Sequence, residues 1–278
     1  MKSGNLRAYT PAMRSWICMA VRLLHEQDIA GAAELSAEAG WNQTADDWRM
    51  LLRLNPENCF GIQADDRLVS TATLTCYGKQ LAWIGMVLTN RPYQRRGFAR
   101  TLLLHAIARA DQLGIESLKL DATEQGQPLY ASLGFRVEQP VERWWRAAGG
   151  AGQPDKPAGI PSIDFDAYAA DRSRLLQALK DRSNVHSNSE GFCLSRPGSR
   201  ANYIGPCVSR SPDFARRSIQ ACVGAESYWD LLPRNQAALD IAIDLGFSPR
   251  RKLIRMVRGR DLRGRQEWIY AIAGFELG

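Results

Sequence analysis

Residues 81–89 read LAWIGMVLT, a run without a single charge. A strand apolar on both faces belongs inside a sheet that is covered on both sides. The residues after it, NRPYQRRGFARTLLLHAI, form a turn punctuated by Pro92 and Gly97 that passes directly into an apolar helix. A buried strand, a basic turn and a helix packed back on the sheet define an α/β layering.

The flanking sequence extends that pattern. MAVRLL reads as a strand, and Ile29, Ala32, Ala33, Ala37 and Gly40 mark an amphipathic helix with a glycine stop. Thr44 is placed to cap the next helix, with Asp46 and Asp47 in its first turn and Pro56 ending it. NCFGIQADDRLVSTATLTCYG gives two strands joined by an Asp-Asp turn. A helix over 99–113, the strand SLKLDA, a short helix ending at Gly134 and a strand over 136–144 follow. Residues 147–162 are rich in Gly, Pro and Ala without apolar period, which is linker composition. Beyond them come a helical stretch, a hairpin-like strand pair, a helix near 214–223 and a strand, helix and strand. The division expected is a leader over 1–18, domains over 19–147 and 163–278, and a linker over 148–162.

The two halves echo each other. Trp83-Ile84-Gly85 corresponds to Tyr203-Ile204-Gly205, and Leu133-Gly134-Phe135 to Leu245-Gly246-Phe247. At the same spacing after each Gly-Phe stands an arginine, Arg143 and Arg255. Three matches in one order indicate a duplicated domain.

Composition removes several function classes. With 45% apolar residues the chain can bury a core, and no apolar run reaches the length of a bilayer span. A cytoplasmic protein with no membrane contact is expected. Six scattered cysteines without a Cys-x-x-Cys pair and three histidines suggest neither a metal site nor a disulfide framework, and make a histidine-based nucleophilic enzyme improbable. The net charge of +7 is spread along the chain without a recognition motif, so a polyanionic small ligand accounts for it and nucleic acid is not expected as a partner.

The basic turn is where such a ligand fits. Gln94, Arg95, Arg96, Gly97, Phe98 and Ala99 lead into a helix whose first N–H groups lack intrahelical acceptors, an arrangement that binds phosphate. Gly97 permits a backbone angle or close approach that a side chain would block, and Arg95, Arg96 and Arg100 add charge. Taken alone, the segment is equally a plain strand-to-helix connection with a solvated basic face. It carries neither Gly-Lys-Ser/Thr nor Gly-x-Gly-x-x-Gly.

In context these residues resemble the GNAT superfamily of acyl-CoA-dependent N-acyltransferases. Residues 94–99 match its pyrophosphate-loop pattern Gln/Arg-x-x-Gly-x-Gly/Ala, WIGMVLT resembles its fourth strand, and PLYASLGF resembles its Tyr-x-x-x-Gly-Phe segment. GWNQTADDW, LDAT and IYAIAGFELG are similar to a bacterial subgroup in which a second GNAT-like half follows the first. The fold implied is α/β (α+β): two tandem domains, each a twisted, mixed, mostly antiparallel sheet flanked by helices.

The resemblance also implies a chemistry. Acetyl-CoA is the cosubstrate, with no metal, and the acceptor is a small-molecule or peptide amine; a longer acyl donor, or a CoA-binding sensor with little turnover, are the alternatives. Backbone groups of Val87, Leu88 and Thr89 would hold the pantetheine and polarise the thioester, where one preorganised N–H is worth about 3 kcal/mol. Residues 94–100 would hold the diphosphate. Tyr130 stands at the family's general-acid position, with a core aromatic as its other reading. Thr123 replaces the family's usual asparagine beside the pantetheine. Asp121 is the carboxylate placed to take a proton from the amine, its rival role being a helix cap. A primary amine of pKa about 10 is only about one part in a thousand neutral at pH 7, so a proton acceptor is wanted. Trp41, Asn42 and Trp83 are the acceptor-pocket candidates, although tryptophans at such spacing also build cores.

The second half lacks most of this set. Counted from Ile204 as from Ile84, the position of Gly97 falls on Arg217, and Ala242 stands in the place of Tyr130, while Asn235 occupies the family's asparagine position. One CoA per chain is expected, the second half shaping the acceptor site, in a monomer or homodimer.

Overall fold

The computed structural model describes residues 20–149, 159 and 162–278. The expected leader and most of the expected linker lie outside the described residues. The first half runs β1 (Arg22–Leu23), α1 (Ile29–Glu38), α2 (Ala45–Leu54), β2 (Cys59–Ala64), β3 (Arg67–Tyr77), β4 (Leu81–Thr89), α3 (Phe98–Gln112), β5 (Ser117–Ala122), α4 (Gln127–Ser132) and β6 (Arg136–Arg146). The second runs α5 (Ile163–Tyr168), α6 (Ser173–Lys180), β7 (Asn184–Asn188), β8 (Gly191–Arg196), β9 (Asn202–Ser209), α7 (Pro212–Cys222), β10 (Ser227–Leu231), α8 (Gln236–Asp244), β11 (Ser248–Gly259) and β12 (Ile269–Ala271).

Local signals account for the boundaries. Thr44 Oγ1 accepts from the Asp47 N–H while the Asp47 carboxylate accepts from the Thr44 N–H at 2.7 Å, a capping box that starts α2. Asp65 and Asp66, with φ of 50° and 58°, make the tight turn between β2 and β3. Differences from the sequence reading also have local causes. The single helix expected after the linker is two, because Ala169 turns left-handed at φ 53° and ends α5. The expected first strand shrinks to two residues of β1, and β7 was not anticipated.

The strands join into one sheet in the order β1-β2-β3-β4-β5-β11-β6-β10-β9-β8-β7, with β12 on β9. Among the described residues only β4 with β5, and β9 with β10, are parallel. The Gly-Phe strand of each half crosses into the other: β11 inserts between β5 and β6, and β6 lies against β10. In register, Arg255 on β11 faces Asp121 on β5, and Arg143 on β6 faces Asp230 on β10. The repeated arginines seen in the sequence are thus reciprocal links between the halves.

Packing follows the sheet. On one face of the first half Phe98, Leu102, Leu103 and Ala106 of α3 bury against Ile84, Leu118 and Leu120. On the opposite face a second core spans both halves, joining Trp48 and Trp83 to Leu232, Ile272 and Leu277. A third, with Ile204, Trp229, Ala238 and Ile241, lies beneath α7 and α8. Among the described residues no helix is long and apolar enough to cross a membrane, and no cluster of His, Cys, Asp or Glu could hold a metal ion.

Candidate active site

The site begins with an irregularity in β4. Its register on β3 shifts between Thr71↔Leu88 and Thr73↔Gly85, and Met86 takes a left-handed φ of 49°. The Met86 carbonyl is held at 2.8 Å by the Thr71 hydroxyl, which fixes the bulge. On its other edge β4 pairs with β5 only over Leu81, Ala82 and Trp83. Beyond them the strands diverge, leaving the edge of β4 from residue 84 onward without a neighbouring strand. Val87 faces the opening, and the Leu88 carbonyl accepts from the Ser70 hydroxyl at 2.7 Å. The Thr89 hydroxyl lies 2.8 Å from Ser70 Oγ.

After β4 the chain turns through Gln94, whose side-chain amide donates to the Thr89 carbonyl at 3.0 Å. Arg95 has φ 63°, and Gly97 caps α3 at φ 92°. A Cβ on Gly97 would meet nothing within 4 Å, so glycine is needed here for its backbone angle rather than for space. The first intrahelical bond runs from the Thr101 N–H to the Gly97 carbonyl at 3.0 Å. The N–H groups of Phe98, Ala99 and Arg100 therefore have no acceptor within the helix, at its positive end. Phe98 anchors this end with a buried ring edge-on to Tyr93, while Arg95, Arg96 and Arg100 stay exposed. Arg96 rests over the Tyr93 ring, and Arg100 reaches Ser132 of α4 at 3.2 Å.

The second half lacks this geometry for a reason the residue count placed wrongly. Arg217 lies within α7, and the helix is capped by Ser211, whose hydroxyl accepts from the Phe214 N–H at 3.3 Å. Pro212 has no N–H to offer. The loop is shorter, and the Ser211 cap and Pro212 leave fewer N–H groups free at its helix end.

Where β4 and β5 part, a cavity of about 100 Å³ opens, lined by Val87, Asp121, Thr123 and Tyr130 from the first half and by Arg251 and Glu276 from the second. Tyr130 is half-buried, edge-on to Phe135, and burial pushes its phenol up to about 12. Gly126 leaves room for it: a Cβ there would lie 2.9 Å from the Tyr130 ring. Thr123 caps the turn into α4 by accepting from the Gly126 N–H at 3.2 Å. Asp121 has a buried side chain whose two oxygens accept from Arg255 at 2.9 and 3.0 Å. Burial pushes its carboxyl above the ordinary range, with Arg255 pulling the other way. The Arg255 guanidinium also lies over the Trp83 ring at 4.5 Å.

The acceptor-pocket candidates divide. Trp41 lines the cavity. Asn42 does not: its amide donates to the Ala201 carbonyl and accepts from the N–H groups of Arg200 and Ala201, all at 3.0 Å, clipping the loop over 198–201. Trp83 is buried, and its indole N–H donates to the Phe275 carbonyl at 2.9 Å. That bond belongs to residues 272–278, which cross both halves. A Cβ on Gly85 would lie 2.3 Å from the Glu276 carbonyl oxygen, and one on Gly205 2.2 Å from that of Ile272, so each of the repeated Ile-Gly pairs gives this segment a place to rest. Gln43, Arg143, Arg251, Leu253, Phe275 and Glu276 also line the cavity, beside Ile84, Gly85 and Met86 of β4 and Leu120 of β5, and none of the six is among the pocket candidates of the sequence. Four of them carried a signal: Arg143 by its repeat, Gln43 within GWNQTADDW, and Phe275 and Glu276 within IYAIAGFELG.

A parted pair of parallel strands, a bulge and a glycine-capped basic helix end define an acyltransferase of the CoA-dependent type. The comparisons agree: residues 17–135 match the acetyltransferase (GNAT) family and residues 160–271 an acetyltransferase (GNAT) domain, so the chain belongs to the GNAT family as a tandem of two such domains. It is 27% identical over 246 residues to the uncharacterized N-acetyltransferase YitH of Bacillus subtilis (strain 168), covering 81% of this chain and 86% of that one. In fold it is similar to a structure from Pyrococcus horikoshii assigned as an acetyltransferase, with a TM-score of 0.82 and 21% identity over 98% of this chain and all of the other (100%). A GCN5-related N-acetyltransferase from Sphaerobacter thermophilus aligns at a TM-score of 0.57 and 14% identity, over 87% of this chain and 97% of its own.

Proposed function

We propose that the chain transfers an acetyl group from acetyl-CoA to an amine by direct attack in a ternary complex formed in the first half. The observation that carries the reading is the continuity of three features: the unpaired edge of β4, the α3 helix end and the cavity holding Tyr130. The diphosphate would lie on the N–H groups of residues 97–100 with Arg95, Arg96 and Arg100 around it. The pantetheine arm would add to the open edge of β4 along Val87, Leu88 and Thr89, bringing the thioester to the bulge. N–H donors fixed by that bulge would stabilise the developing oxyanion.

Tyr130 protonates the departing thiolate. With its phenol near 12 and a free thiol near 8.5, transfer in the empty cavity would be uphill by roughly 5 kcal/mol. The same dry surroundings raise the affinity of the thiolate for a proton, so the mismatch narrows once CoA fills the site. Asp121, engaged on both oxygens by Arg255, serves in this reading to hold Arg255 and β11 in place.

The test is release of free CoA thiol when acetyl-CoA and a broad panel of small amines and peptides meet the purified chain. Acceptor-dependent release supports the transferase. Tight CoA binding with no release across the panel would favour the sensor instead.

A further inference from the structure

We propose that Glu276, carried by the second half, takes the proton from the acceptor amine at the active site of the first half. The inference rests on the acetyl-transfer reading above and adds the residue that reading lacks. Asp121 has both oxygens occupied, whereas Glu276 is only 4% exposed, lines the same cavity as Tyr130, and has an Oε2 without a hydrogen-bond partner among the described residues. An unsatisfied carboxylate oxygen buried in a cavity is costly unless a ligand completes it. An ammonium is the ligand that would.

Its position is built, not incidental. The Glu276 carbonyl packs on Gly85 of β4, next to the bulge, and its neighbours Phe275 and Leu277 are tied by their carbonyls to the Trp83 indole at 2.9 Å and the Tyr77 hydroxyl at 2.6 Å. The carboxyl thus sits on the α1 and α2 side of β4, with Trp41 and Gln43 in the same wall. Burial raises it above the ordinary carboxylate range, with Arg196 pulling it down, Gln43 helping and Asp47 opposing. Arg143, Tyr77 and Tyr203 also feel its charge.

The step balances as follows. Glu276 takes one proton from the ammonium, and the freed lone pair attacks the thioester carbonyl carbon. As the tetrahedral centre collapses, the C–S bond breaks and the thiolate takes the Tyr130 proton. The second proton lost by nitrogen returns to the tyrosinate. Amide, CoA thiol and protonated Glu276 remain, and Glu276 releases its proton to solvent.

The experiment compares parent, Glu276→Gln and Glu276→Asp chains in kcat/KM against pH, with CoA affinity and the thermal melt recorded for each. In the parent, kcat/KM should fall as pH drops through the Glu276 pKa and level off above it. Glu276→Gln should lose about 10²- to 10⁴-fold at neutral pH and keep rising toward the amine's own pKa. The loss should be smallest on weakly basic amines, CoA affinity should be retained, and Glu276→Asp should fall between the two. A folded, CoA-binding Glu276→Gln chain with the parent's rate and pH profile overturns the proposal while leaving the transferase standing. A parent that transfers acetyl to no amine overturns both.

Discussion

Replacing Asp121 by asparagine separates its two possible parts. The Asp121 and Arg255 side chains are 0% and 4% exposed and joined by two hydrogen bonds of 2.9 and 3.0 Å. Asparagine keeps the shape and one acceptor but leaves Arg255 buried without a counter-charge. Breaking a buried pair from one side costs about 3–5 kcal/mol. The surviving acceptor and the Trp83 ring beneath the guanidinium at 4.5 Å put the loss near the lower end, about 3 kcal/mol. For a chain of this size that is a fall in melting temperature of roughly 6–12 °C. A double change, Asp121→Leu with Arg255→Met, should recover much of it, since removing both charges leaves none unpaired. The assay is a thermal melt of the parent and each variant with CoA-thiol release measured alongside. If Asp121→Asn melts within about a degree of the parent while kcat collapses, Asp121 is the base after all and the positioning role is refuted.

The remaining predictions use the same measurements. Gly85→Ala should push residues 272–278 off β4, because its Cβ would meet the Glu276 backbone at 2.3 Å; acetyl transfer falls sharply while CoA affinity, held elsewhere, changes little. Gly97→Ala meets no described atom within 4 Å, so its effect is backbone strain of about 1–2 kcal/mol, read as weaker CoA binding and a melt lowered by roughly 2–8 °C. Tyr130→Phe should lower kcat with CoA affinity retained, and a variant of full rate would remove Tyr130 as the acid.

The sequence showed what is encoded locally. The capping box at Thr44, the strand SLKLDA and the turn from Gln94 into α3 each carry their signal within a few residues, and each forms as read. The repeat was legible too, but its meaning was not. Arg143 and Arg255 stood out by spacing, while their partners Asp230 and Asp121 follow from a strand exchange that only register reveals. The same exchange makes one sheet where each half read alone implies two. The pocket was half legible for a related reason. Asn42 lies in a motif that suggests an acceptor site, yet the loop over 198–201 saturates its amide. Glu276 lies in a stretch with no apolar period, and nothing near it in sequence says that Gly85 will receive it. The Arg217 count failed because the loop before α7 is shorter than the one before α3, a length that residue counting cannot supply.

Calorimetric titration of CoA into the intact chain and into Arg96→Glu tests the central claim most directly. A single site per chain in the parent, strongly weakened when a carboxylate replaces the guanidinium beside the α3 helix end, is the result predicted. Two equivalent sites, or one whose affinity Arg96→Glu leaves untouched, would contradict it.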